Sequence, residues 1–431
     1  MALLTTPRTS TRRAAKASPS VLVACPDARP PAYQAAAGLS RSGGLGTFVT
    51  GYYYGGRGPI SAVARDLMPC YFAGWRKSLM RRHQRGIPPS RVVSAPTYDL
   101  AIAVERRLGV GMASRIARSR TERFDRLVAR QVERSRPDAA LIFSDVGSAV
   151  ALPTCRRLGI PTILSMVHGD VREEREVLRS LDAESSRYYL GGATLDEDQL
   201  GWLHARRLDD LALADTILVP SEHIAEVLAR HGTPRHAIRV VPYAADTRRF
   251  KPGPVRTYSD TCTFLFAGAI SERKGVRDLL AAWRLVRRPG WRLQLLGAVP
   301  SEGRMLADLP DDVELLGRVA HADVPAAMAA ADVFVFPSLF EGSAVVTYEA
   351  LASGLPCVVT SAAGSVIRDG VDGYIVPSRE PDALADRLRR LGLDGSLRRS
   401  MAAAARGRAE SFTWARYRAS IDDAVRDAVG R

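Results

Sequence analysis

The chain has 431 residues, 46% of them hydrophobic and 25% charged, with a formal net charge of +15. Such a length holds two or three domains with full cores, and the balance is that of a soluble globular protein; no apolar run approaches the ~20 residues of a bilayer span. Lysine occurs only at Lys16, Lys77, Lys251 and Lys274, so arginine carries nearly all the basic charge, and the resulting field favours anionic partners: nucleotides, anionic lipid or nucleic acid.

Residues 1–18 are rich in Arg, Ser and Thr and contain no acid. They read as a disordered polar tail; the composition also suits a transit peptide, but the apolar centre of a secretory signal is missing. The cysteines, Cys25, Cys70, Cys155, Cys262 and Cys357, are scattered without a C-x-x-C pair. That spacing argues against a disulfide framework or zinc site and for a reducing, cytoplasmic compartment.

Val21 to Cys25 is a continuous apolar run, the mark of a strand buried on both faces of a parallel sheet. Pro26 to Pro31 reads as a loop, Ala32 to Ser40 as a helix, Gly43-Gly44 as a turn with positive φ, and Thr47 to Tyr53 as a strand. From Phe72 to Arg91, Phe72, Trp75, Leu79 and Met80 mix with Arg76, Lys77, Arg81, Arg82 and Arg85. The stretch suits either contact with an anionic membrane surface, at the inner face, or a solvated Arg-rich helix face. Arg115 to Arg136 is expected to be a packed helix with a charged outside, its apolar side carrying Ile116, Phe124, Leu127 and Val128.

Strands and helices then alternate. Strands are expected at Ala139–Phe143, Pro161–Val167, Thr216–Val219 and Ile238–Val241, and helices at Ser148–Leu158, Leu200–Ala214 and Glu222–His231. This is the pattern of βαβ units on a parallel sheet. Pro242 to Tyr258, Pro-rich and without period, is the domain boundary. A second series follows: strands at Thr261–Ala267, Arg292–Leu296, Val313–Leu316, Asp332–Phe336, Pro356–Val359 and Tyr374–Val376, and helices at Val276–Arg287, Asp323–Ala330, Ala383–Arg390, Ser396–Arg408 and Thr413–Val429. Gly364-Ser365, Asp369-Gly370 and Asp372-Gly373 read as turns.

One stretch organises the second half: PSLFEGSAVVTYEALASGLPC, Pro337 to Cys357. A strand enters a small-residue turn at Glu341-Gly342, and a helix from Ala344 to Ser353 ends at Gly354 and Pro356. Backbone amides at such a helix start favour a phosphate. Glu341 sits in the turn with no helical partner, and Glu349 lies inside the helix. Eight helical steps separate them by roughly 12 Å. They cannot share one reacting atom, but are spaced to hold two ends of a nucleotide diphosphate ligand. Arg273-Lys274-Gly275, between the first strand and first helix of the second half, offers two cations where a doubly wound sheet collects ligands.

In this context, Pro337-Ser338 followed by Glu341-x7-Glu349 resembles the retaining glycosyltransferases of the two-domain GT-B class, family 4. The resemblance runs from about residue 137 to the end and is most specific between 215 and 377. It implies two Rossmann-like α/β parallel-sheet domains facing each other across a cleft. Residues 19–250 would be the acceptor domain, 251–258 a linker, 259–411 the nucleotide-sugar-binding domain, and 412–431 a helix returning to the first domain. Glu341 would contact donor-sugar hydroxyls, with His168 opposite it across the cleft, and Glu349 would hold the ribose. Lys274 would meet the diphosphate; Arg273 would replace the family's Arg, whose place after Gly268 is taken by Ala269. Gly268, and at the helix start Gly342, Ser343, Ala344 and Val345, would line the donor, and the backbone of Arg318 and Val319 the base. His204, His231, His236 and His321 receive no role.

The implied activity is metal-independent, cofactor-free transfer of a sugar from a nucleoside-diphosphate sugar to a glycan, lipid-linked or small-molecule acceptor, with retained configuration. The sequence carries no H-E-x-x-H and no D-x-D flanked by apolar strand residues. A nucleotide-sugar epimerase or phosphorylase-like enzyme on the same architecture is the alternative. A dinucleotide oxidoreductase would need G-x-G-x-x-G after a first strand, which neither VLVACPDARP nor FAGAISERKG supplies. Charge alone suggests a nucleic-acid-binding protein, but no stacking-aromatic module accompanies it, so nucleic acid is not an expected partner.

Overall fold

The computed structural model describes residues 18–53, 82–105, 110–187, 189–190, 197–254, 261–299 and 306–430. Nearly all of the expected tail, Cys70, residues 72–81 of the basic aromatic stretch and residues 255–258 of the expected linker lie outside the described residues.

Seven strands form the first sheet: β1 (Val21–Cys25), β2 (Leu45–Thr50), β3 (Val92–Ser94), β4 (Ala139–Phe143), β5 (Thr162–Ser165), β6 (Thr216–Val219) and β7 (Ile238–Val240). Their order is β3-β2-β1-β4-β5-β6-β7. Six form the second: β8 (Cys262–Ala267), β9 (Trp291–Leu296), β10 (Val313–Gly317), β11 (Val333–Phe336), β12 (Cys357–Thr360) and β13 (Gly373–Val376), in the order β10-β9-β8-β11-β12-β13. Every strand pair is parallel. The chain is thus two α/β parallel-sheet domains, as its strand–helix alternation requires. β1, β4 and β11 are buried along their whole length, which explains their unbroken apolar runs. Each sheet reverses its strand order once, between β1 and β4 and between β8 and β11. Crevices outside the carboxyl ends at such reversals are where open α/β sheets bind ligands.

Several boundaries differ from expectation for identifiable reasons. The first helix is Pro30–Arg41, because two prolines fit a first turn whose amides have no helical partner anyway. β2 ends at Thr50 rather than Tyr53: Gly51 turns to donate to the Pro26 carbonyl, and the Tyr52 amide is taken by Asp99. The helix expected from Ser148 starts at Ala151, since Asp125 collects the amides of Ala149, Val150 and Ala151 and fixes the preceding loop. Gly43 has φ +77°, whereas Gly44 does not adopt positive φ. Gly373 opens β13 instead of making a turn; a Cβ there would strike the Cys357 carbonyl of β12.

The helix Val110–Ser135 buries Phe124 and Val128. The last helix, Trp414–Val429, is capped by the Thr413 side chain and packs on the first domain. Tyr417 lies 6.2 Å from Tyr243 between ring centroids, Arg418 donates to Gln34 at 2.6 Å, and Ser42 donates to Asp422 at 3.1 Å. Cys25, Cys155, Cys262 and Cys357 are buried thiols. Among the described residues, no helix is long and apolar enough to cross a membrane.

Candidate active site between the facing strand ends

The loops leaving β8 and β11 lie against each other. Gly275 has φ +70°, and a Cβ on it would strike the Pro337 carbonyl, so only glycine lets the two loops meet. The contact is locked by Leu339, whose amide donates to the Arg273 carbonyl at 2.8 Å, and by the Ser338 hydroxyl, which donates to the same oxygen at 3.0 Å. As a result the Lys274 ammonium pairs with the Glu341 carboxylate, which also accepts from Ser338 at 3.1 Å and lies 3.6 Å from Arg273 Nη1. The turn that leaves Glu341 without a helical partner is therefore completed by tertiary contacts from the loop of the neighbouring strand, β8. Lys274 also sits 5.1 Å from the centre of the Phe336 ring. Burial lowers its pKa from the usual lysine value, and the Glu341 charge opposes that shift. Arg273 Nε is buried with no hydrogen-bond partner among the described residues, a donor aimed at no acceptor.

The helix after this turn is Val345–Ala352. Of the residues expected at its start, two hold the turn itself: the Ala344 amide donates to the Ala363 carbonyl at 3.0 Å, and the Ser343 hydroxyl donates to the Gly364 carbonyl at 2.6 Å. Ala344 thus has no amide to offer a phosphate. Val345 and the next residue, Val346, being in the first turn, have no helical acceptor for theirs. At the other end Glu349 is buried and meets His321 Nε2 at 3.2 Å. His321 is half exposed, its ring edge-on to Phe250 at 6.2 Å. It stands in the loop leaving β10, past Gly317 (φ +66°), the exposed Arg318 and the partly buried Val319, so that loop and Glu349 share one end of the site. His321 carries no motif of its own; its place in the Arg318-Val319 loop is the signal that ties it to this end of the site. Gly268, at the end of β8, donates its amide to Leu296 at 2.9 Å and faces the ring of Phe336.

From the first domain, β5 delivers His168 to the opposite wall. Its Nδ1 lies 2.8 Å from the Gly169 carbonyl and its Nε2 3.1 Å from Asp145 Oδ1. Two glycines bring the walls together: a Cβ on Gly342 would come within 2.7 Å of the Val167 carbonyl oxygen, and one on Gly169 would strike the Phe340 ring. Ser221 donates across the divide to the Gly342 carbonyl at 2.8 Å, and the Arg273 amide donates to the Tyr189 carbonyl at 3.2 Å. A cavity of about 310 Å³ remains between the domains, lined by Asp170, Glu173, His223, Phe340, Glu341 and Arg379 among others. His204, also left without a role, is buried against Glu174 at 3.1 Å. Among the described residues, no group of three or more His, Cys, Asp or Glu side chains is placed to hold a metal ion.

Two family models match the chain: Glycosyltransferase Family 4 over residues 83–249 and Glycosyl transferases group 1 over residues 261–394. The chain is 31% identical to a D-inositol 3-phosphate glycosyltransferase of Saccharomonospora viridis, over 51% of this chain and 57% of that protein. It is 26% identical to the MMP alpha-(1->4)-mannosyltransferase of Mycolicibacterium hassiacum, over 72% and 75%. Against the D-inositol 3-phosphate glycosyltransferases of S. viridis and Paenarthrobacter aurescens, the chain spans little more than half of their length. In fold it is similar to Anabaena HepE, solved in complex with UDP-glucose (TM-score 0.61, 14% identity, 95% of this chain and 100% of that one). It is similar also to sucrose-phosphate synthase from Thermosynechococcus elongatus (TM-score 0.59, 16% identity, 95% and 98%). With both halves matched by such models and both sheets in the corresponding architecture, the chain belongs to the family 4 glycosyltransferases of the GT-B class.

Proposed function

We propose that this chain transfers a glycosyl unit, with retained anomeric configuration, from a nucleoside-diphosphate sugar to a hydroxyl of a glycan, lipid-linked or small-molecule acceptor. The observation that carries this reading is the convergence of Lys274, Arg273 and Glu341 at the strand reversal of the second sheet, facing His168 across the cleft. In the donor complex, Lys274 exchanges the Glu341 carboxylate for the diphosphate, and the unpartnered Arg273 Nε and the Val345 and Val346 amides supply further donors. Glu341, released, accepts hydroxyls of the sugar. Glu349 takes the ribose hydroxyls, displacing or sharing its contact with His321, while the Arg318-Val319 backbone borders the base.

The bond from the anomeric carbon to the diphosphate breaks with its electron pair going to the diphosphate. The acceptor oxygen bonds to the same face, and its proton passes to the departing phosphate oxygen. The cations and amides hold charge where it develops, in place of a metal ion. First-domain loops hold the acceptor.

The test is a thermal-shift and hydrolysis screen against nucleotide sugars, beginning with the UDP-sugars because HepE is solved with UDP-glucose. Lys274→Ala and Glu349→Ala should each weaken the hit; undiminished binding in both places the donor elsewhere. Release of free sugar that no acceptor accelerates would favour the epimerase or phosphorylase alternative.

A further inference from the structure

The first sheet reverses its strand order between β1 and β4, and the second residue after β4 at that point is Asp145. Its φ is +86°, a left-handed conformation that an L-residue leaves unless its surroundings hold it there. Here they do. The Asp145 amide donates to Asp210 Oδ2 at 2.9 Å, and its carbonyl accepts from Arg206 Nε at 3.4 Å. Arg206 is itself tied to the buried Asp125 at 3.0 Å. Arg207 donates to the Asp145 carboxylate at 2.7 Å, and Arg29, from the loop after β1, stands 3.9 Å from its second oxygen. Burial alone would raise the pKa of this carboxyl, but Arg207, His168 and Arg29 outweigh it and hold it well below the usual range.

What this apparatus aims is one oxygen, Oδ1, at His168 Nε2, 3.1 Å away. The other ring nitrogen then points to the Gly169 carbonyl at 2.8 Å, beside the Phe340-Glu341 turn. We infer that Asp145 is the positioning residue for His168: its carboxylate anchors Nε2 while the Gly169 carbonyl takes Nδ1, so that the ring is held in a single orientation beside the Phe340-Glu341 turn, where the donor sugar is proposed to lie. The inference rests on the sugar-facing role proposed for His168. Asp145 touches neither substrate nor reacting atoms; it acts through the ring.

The test is a double-mutant cycle on the intact chain with the nucleotide sugar found in the screen. Asparagine tolerates positive φ nearly as well as aspartate, so Asp145→Asn removes the charge with little backbone change. Misorientation of a substrate-facing group costs up to about 100-fold in rate. Asp145→Asn and His168→Ala should therefore each lower kcat by about 10- to 100-fold with donor KM within about 3-fold, and the double variant should be no slower than His168→Ala. Unchanged kcat in Asp145→Asn, or a loss that adds in full to that of His168→Ala, overturns the inference. If Asp145→Asn does not fold, proton NMR of wild type labelled with ¹⁵N-histidine decides. A slowly exchanging downfield imidazole Nε2–H, told from Nδ1–H by its two-bond couplings to both ring C–H protons, that vanishes in His168→Ala supports the anchored ring, and its absence in wild type refutes it. Full turnover in His168→Ala would sink the sugar-facing role, while the NMR signal would still report on the Asp145 contact, so the two failures are told apart.

Discussion

The two walls of the cleft hold their charges in opposite ways. On the second-domain wall the two acidic groups of the proposed donor site each lean chiefly on one basic side chain: Glu341 on Lys274, and Glu349 on His321. On the first-domain wall charges are held several deep. Asp125 takes three amides and Arg206, Asp145 takes Arg207 and His168, and Glu174 takes His204 at 3.1 Å and Tyr189 at 3.2 Å. A buried charge with one partner is released when a ligand offers a replacement of equal strength. A charge with four partners is not, because removing any one leaves the others to pay for desolvation. The second wall is built to exchange partners, the first to stay put.

The strongest way to break this contrast is Lys274→Ala. It removes the proposed diphosphate cation and leaves Glu341 in a poorly solvated turn with only Ser338 and the more distant Arg273. Loss of one such charge-stabilising contact costs about 10²- to 10³-fold in kcat/KM. Steady-state kinetics with the identified donor measure it; a loss under about 3-fold means that the diphosphate does not pass through this pair.

Glu341→Gln comes next, and it separates exchange from scaffolding. Turnover should fall by about 100-fold as the sugar loses its charged acceptor. Affinity for the nucleoside diphosphate without sugar should hold or rise, because Lys274 no longer has an internal competitor. Calorimetry against the diphosphate alone reads this directly, and weakened diphosphate binding with normal turnover contradicts the assignment.

A smaller effect is expected where the walls touch. An alanine methyl at Gly342 would lie 2.7 Å from the Val167 carbonyl oxygen and 2.9 Å from the His168 carbonyl carbon, both backbone atoms that cannot step aside. Overpacking of this kind costs about 1–3 kcal/mol. Gly342→Ala should transfer sugar about 10-fold more slowly, and small-angle scattering should report a more open pair of domains, with nucleotide binding retained. Unchanged scattering and rate would show that the approach of the walls is not needed for turnover.

The same contrast explains what could be read from the chain alone. β-strands buried on both faces announce themselves as apolar runs, so β4 (Ala139–Phe143) and β6 (Thr216–Val219) were expected to the residue. Lys274 and Glu341 were legible because each follows a strand within a recognisable turn. Their pairing was not, since it depends on Gly275 letting two loops 60-odd residues apart lie in contact. The contact of His321 with Glu349 was not legible because a lone exposed histidine carries no periodic signal. The first-domain network was invisible for a further reason: Asp125, Asp145, Arg206, Arg207 and Asp210 sit in helices or loops where charged residues are ordinarily solvated, and only tertiary burial gives them meaning.

Asp210 provides the finest probe of that buried wall. It has 0% exposure, its Oδ2 accepts the Asp145 amide, and its Oδ1 has no hydrogen-bond partner among the described residues. Burial, helped by the nearby Asp145 and Asp125 charges, lifts its pKa to about 7. In the unfolded chain the value is about 3.9. The folded state therefore keeps a proton that the unfolded state has already lost, and the associated stability is present in full below about pH 4 and lost as pH rises toward 7. Asparagine cannot ionise and escapes this loss while still offering an oxygen to the Asp145 amide. Relative to wild type, Asp210→Asn should gain thermal stability between pH 5 and 7 and hold that gain above pH 8. About 1 kcal/mol shifts the midpoint of a domain this size by roughly 2–4 °C, so the gap is within reach of scanning calorimetry. A gap that does not vary with pH would mean that the carboxyl is ionised throughout, and that this wall holds one more counter-charge than its arginines account for.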